Sequence, residues 1–141
     1  MTLDKNDDRP LTGLTGVIIG CAMTVHRALG PGLLESTYRR CLEYELGVAG
    51  LEVRSEVGLP LVYGNVRLEM GYRIDIIVSD LVVLEINSVE TILPIHESQL
   101  LTYLKLSQKQ VGLLLNFNTV KLTDGIKRNI LSHNRQSAPI Q

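Results

Sequence analysis

Two carboxylates interrupt strongly apolar runs near the middle of the chain, Asp75 in "YRIDIIV" and Glu85 in "LVVLEIN". Paired carboxylates hold hard divalent cations, share a proton or do acid–base work, and each use requires both side chains on one face. Asn87 occupies the next same-face strand position after Glu85. Its amide hydrogen-bonds, but it brings no charge and accepts no proton at neutral pH.

A third carboxylate, Glu35, falls inside a helical apolar stripe. At ~100° per residue with Leu34 at zero, Tyr38 lies at about 40°, Leu42 at about 80°, Leu46 at about 120° and Glu35 at about 100°. Glu43 points away. Glu45 also falls in the stripe, but ten residues of helix separate it from Glu35 by roughly 15 Å, too far to share a site. On a later helix His96, Gln99 and Tyr103 share a face with Ile95, Leu100 and Leu106, where local hydrogen bonding at the core edge is the competing role. Lys105 is turned about 120° from Gln99.

The elements that must position these residues follow from hydrophobic periodicity. Leu14, Val17, Ile18, Cys21, Ala22 and Val25 predict a helix ended by "LGPG", and Leu34 to Leu46 predict a second over 33–48 that stops near Gly50. Residues 51–89 change to a period of two with turn signals, predicting an antiparallel meander. A helix over 95–107, a strand at "QVGLLLNF" and a short final helix at "TDGIKRNIL", with Thr123 as N-cap, complete an α/β order with a mixed sheet. A two-residue hairpin loop at Ser79-Asp80 would put Asp75 and Glu85 on opposite faces. A three-residue loop, Ser79 to Leu81, would pair them on one face, and the sequence leaves both registers open.

The 141 residues fit one domain, about 11–132, between tails at 1–10 and 133–141. A net charge of -1 with 45% hydrophobic and 21% charged residues excludes a disordered chain and gives no drive to nonspecific nucleic-acid binding. Lys121, Lys127, Arg128 and Arg135 remain as a modest local basic set that could meet a phosphate backbone. Cys21 and Cys41 fall at apolar helix positions and are assigned to packing. The acidic start "MTLDKNDDRP" is unlike a signal peptide, and no apolar run approaches ~18 residues, so the expected location is cytoplasmic, with no membrane partner.

"GLLESTY" (32–38) resembles a GxxExxY signature, and "YRIDIIVSDLVVLEINSVE", "HESQLLTYLKL" and "VGLLLNF" resemble the remainder of that family, over about 14–130. The family belongs to the PD-(D/E)XK nuclease-like superfamily. The resemblance implies a restriction-endonuclease-like core, a central mixed β-sheet flanked by helices. It also implies Mg²⁺ or Mn²⁺ held by Glu35, Asp75, Glu85 and the Ile86 carbonyl, with Gln99 and Tyr103 completing the pocket. Asn87 stands where the motif lysine belongs. Lys105 points the wrong way to replace it, while Lys109, Arg73 or a partner chain's basic residue are alternatives. The implied activity is Mg²⁺-dependent hydrolysis of DNA or RNA, impaired by Asn87. An inactive nucleic-acid-binding or regulatory module is the alternative, a scaffold domain the weaker third, and a homodimer a candidate assembly.

Overall fold

A computed structural model describes residues 10–132. Of the expected tails at 1–10 and 133–141, residues 1–9 and all of 133–141, including Arg135, lie outside the described residues. Two helices, α1 (Thr12–Leu29) and α2 (Glu35–Val48), precede the strand β1 (Val53–Gly58). A hairpin of β2 (Leu61–Tyr63) and β3 (Val66–Leu68) leads to β4 (Arg73–Val78) and β5 (Val82–Asn87), then α3 (Pro94–Ser107), β6 (Val111–Asn116) and β7 (Ile126–Ile130). Five strands form one sheet in the order β1-β4-β5-β6-β7, with only β5 and β6 parallel. The parallel pair requires a crossover, and α3 is that crossover. This is the α/β arrangement expected, a mixed sheet flanked by helices.

Three details depart from expectation. The meander is interrupted, because β2 and β3 pair only with each other and β1 pairs with β4 across them. The final segment is a strand after a 3-10 turn at Leu122–Gly125, where a helix was expected. Strand β6 is buried along its whole length, and a helix after it would leave one row of its amides and carbonyls unpaired. Gly125 permits the turn: a Cβ there would lie 2.2 Å from the Asn116 carbonyl oxygen. Finally, α1 is 18 residues long with mean hydropathy 1.2, long and apolar enough to cross a membrane by length and composition. Here its inner face joins the core.

The sheet separates two apolar layers. Ile18, Ala22 and Val25 of α1 and Tyr38, Leu42 and Leu46 of α2 pack on Ile76, Leu84, Ile86, Leu113 and Leu115. Leu100, Tyr103 and Leu104 of α3 pack on Ile77, Val83 and Leu114 from the other side. Each fully buried Leu or Ile contributes about 1.5–3 kcal/mol, so β5, with four of six residues apolar, is held firmly from both faces. Cys21 and Cys41 are free thiols that pack against the first layer, as expected.

Candidate active site

The register of β4 and β5 decides where the carboxylates meet. Ile76 faces Leu84, Ile77 faces Val83 and Val78 faces Val82, which corresponds to the three-residue loop. Ser79 and Asp80 both adopt left-handed backbone (φ 53° and 56°), and the Leu81 N–H closes the turn on the Val78 carbonyl at 2.9 Å. Leu81 is the extra residue that shifts the register by one.

Continued by one step, this register sets Asp75 opposite Glu85, but ladder pairing stops there and the strands part. The carboxylates take over the vacated backbone bonds. Asp75 Oδ2 accepts the Ile86 N–H at 2.7 Å, and Glu85 Oε1 accepts the Asp75 N–H at 3.4 Å. Burial, reinforced by the charge of Asp75, pushes the Glu85 carboxyl up to about 9. Burial likewise raises Asp75; the Ile86 N–H opposes this, Glu35 adds to it and Arg39 opposes it. Such a pair holds a proton, or a cation in its place.

Glu35 is the first residue of α2 and solvent-exposed, not part of a buried stripe. Leu34, the reference for that stripe, is the residue before the helix and is 73% exposed. Glu35 reaches the end of β5 nevertheless, where its Oε2 accepts the Ser88 N–H at 3.3 Å. Ser88 Oγ donates to the Leu33 carbonyl at 2.8 Å. Tyr38, fully buried and stacked on Phe117 with centroids 4.5 Å apart, fixes the loop below. Its hydroxyl donates to the Gly30 carbonyl at 2.5 Å and accepts the Leu33 N–H at 3.1 Å. Gly32 supplies the left-handed φ of 98° that the loop needs. In "GLLESTY" the glycine and tyrosine thus aim the glutamate.

Glu35, Ser36, Arg39, Glu56, Asp75 and Ile86 line a cavity of about 210 Å³. Glu56 was not anticipated. It falls between the Ser55–Ile76 and Val57–Ile74 pairs, opposite Asp75, with a left-handed φ of 48°. Arg39, also unanticipated, bonds Glu43 at 2.9 Å and lies 3.9 Å from Glu56.

Gln99 and Tyr103 approach from the α3 side. Gln99 Nε2 donates to the Tyr103 hydroxyl at 3.1 Å, and both line a separate cavity of about 210 Å³ with Leu61, Tyr72, Thr102 and Leu106. Burial, then the charge of Glu85, raises the Tyr103 hydroxyl, so it senses the pair without sharing the α2-side cavity. His96 is half-buried, and its Nδ1 accepts the Leu93 N–H at 2.8 Å as part of the α3 cap. Asn87 is half-buried at the end of β5, its carbonyl accepting the Phe117 N–H at 2.9 Å.

The substitute cations fare unevenly. Lys109 bonds Asp80 at 2.9 Å, at the turn five residues from Asp75, roughly 16 Å along the strand. Lys105 is exposed. Arg73 is 61% exposed, 4.0 Å from Glu56. Arg128 of the expected basic set bonds Thr15 at 2.6 Å and the Pro10 carbonyl, which ties β7 to the start of α1.

Hard oxygen donors are what Mg²⁺ or Mn²⁺ prefers, and a carboxylate pair that resists holding two charges fits a divalent cation by its chemistry. Among the described residues no three acidic, histidine or cysteine side chains converge into a preassembled cage. The pair is the nucleus of such a site, with Glu35 near enough to affect both members.

A profile of the PD-(D/E)XK nuclease superfamily matches residues 12–129. The chain belongs to this superfamily. The match spans almost all of the described residues and includes α1 to α3 and all but the last residue of β7. No curated protein and no solved structure matches the chain. PD-(D/E)XK nucleases commonly use divalent metals.

Proposed function

We propose that this chain is a metal-dependent nuclease-like protein of the GxxExxY type that hydrolyses phosphodiester bonds of DNA or RNA, at a rate reduced by Asn87. The observation that carries this reading is the Asp75–Glu85 pair at the parted end of β4 and β5, in a chain of the PD-(D/E)XK superfamily. Asp75 and Glu85 would hold Mg²⁺ or Mn²⁺, with Glu35 and the Ile86 carbonyl as further oxygen donors. The ion supplies a polarised phosphoryl oxygen and an acidified water. Asn87 orients a water or phosphate oxygen by hydrogen bonding, but it neither accepts a proton nor neutralises developing charge. Loss of an ordinary lysine contribution lowers turnover by about 10²- to 10⁴-fold.

The same residue supports a second reading, a module that binds nucleic acid without cutting it. Wild type and Asn87→Lys, incubated with single- and double-stranded DNA and RNA in Mn²⁺, separate the two. Slow cleavage by wild type, abolished by Glu85→Ala and accelerated by Asn87→Lys, is the expected result. Cleavage by Asn87→Lys alone favours the binding module. No cleavage by either protein, with no metal uptake by calorimetry, rules out the nuclease reading.

A further inference from the structure

We propose that Arg39 is the phosphate-binding cation of this site, occupying electrostatically the role that Asn87 has vacated; this rests on the nuclease reading above. Arg39 lies on α2 one turn after Glu35 and lines the same cavity as Glu35, Glu56, Asp75 and the Ile86 backbone. Its side chain is only 16% exposed, whereas Arg73 is largely solvated and Lys109 is bound to Asp80 at the far turn. Arg39 is therefore the cation that the cavity itself contains.

The hydrogen bonding leaves it available. Both of its ion-pair contacts, to Glu43 and Glu56, use Nη1. Nε and Nη2 have no hydrogen-bond or ion-pair partner among the described residues. A guanidinium so held is anchored at one end and presents two donors, the fork that matches two phosphate oxygens. Because it stays protonated at any working pH, it cannot serve as a base. Its contribution is fixed charge and orientation, and the proton lost by the attacking water would pass to bulk solvent. Glu56 opposes an incoming phosphate across the cavity, and the 3.9 Å contact with Arg39 is what a phosphate must compete with.

The test measures affinity and turnover separately. A fluorescein-labelled oligonucleotide, single-stranded and duplex, is titrated with wild type, Arg39→Gln and Arg39→Lys in Ca²⁺ over a range of salt, and the same proteins are assayed for cleavage in Mn²⁺. Losing one charge-assisted phosphate contact weakens binding by about 10- to 100-fold and lowers the log–log salt slope by about one. Arg39→Gln is expected to show both effects, and Arg39→Lys an intermediate affinity with the slope retained. Thermal unfolding checks the fold. Should Arg39→Gln fail to fold, Arg39→Lys carries the test, and wild-type affinity and turnover in it overturn the proposal. Reduced affinity with an unchanged salt slope in Arg39→Gln overturns it too, because that is a structural effect. Unchanged affinity, slope and turnover remove Arg39 while leaving the nuclease reading intact. A wild type that neither binds nor cuts removes both.

Discussion

Replacing Glu85 by glutamine removes a charge that the fold resists and keeps the shape that accepts the Asp75 N–H. The Glu85 carboxyl is raised to about 9, so the native state retains a proton that the unfolded chain releases near the ordinary 4.5. Stability from this group is complete below about pH 4.5 and is lost as pH rises toward 9. The slope is at most about 1.4 kcal/mol per pH unit, or up to about 4 kcal/mol between pH 5 and pH 8. Glu85→Gln has no such slope. Urea unfolding followed by circular dichroism in EDTA should therefore show the variant gaining on wild type as pH rises, with the two nearly equal at about pH 5. Saturating Mg²⁺ should stabilise wild type at high pH and leave the variant unmoved, since a ligand that binds only the native state adds RT ln(1 + [L]/Kd). Parallel curves for the two proteins would refute the claim that Glu85 is a strained carboxylate.

Two further outcomes follow from the loop and from the far turn. Tyr38→Phe deletes a buried hydroxyl with two partners and strands the Leu33 N–H and Gly30 carbonyl; thermal or urea unfolding should register a loss of about 1–3 kcal/mol, and cleavage in Mn²⁺ should fall as Glu35 loses its aim. Lys109→Met breaks the pair with Asp80, whose side chain is 61% exposed, at a cost under about 1 kcal/mol. Cleavage and oligonucleotide affinity should be unchanged, and a large loss in either would restore Lys109 as the displaced lysine.

The element order was largely legible because long amphipathic stretches repeat their signal many times. The register was not, since it turns on Ser79 and Asp80 adopting a left-handed conformation that no glycine announces. Strand β7 was misread as a helix because "TDGIKRNIL" is short and its need for a strand partner comes from β6, not from itself. Arg39 was overlooked although a signal existed: four residues after Glu35, it lies about 40° from it on the helix. Glu56 had no such signal, because its place opposite Asp75 arises from pairing across the inserted hairpin.

Where β4 and β5 part, two acidic side chains substitute for carbonyls in stitching the sheet. A ligand that draws Asp75 and Glu85 outward must take them from the Ile86 and Asp75 amides. Two donors at the parted end of β4 and β5 are then left to find water or the ligand. Occupancy of the site and cohesion of the central seam are thus one equilibrium, and a cargo strong enough to claim the carboxylates also loosens the sheet that presents them.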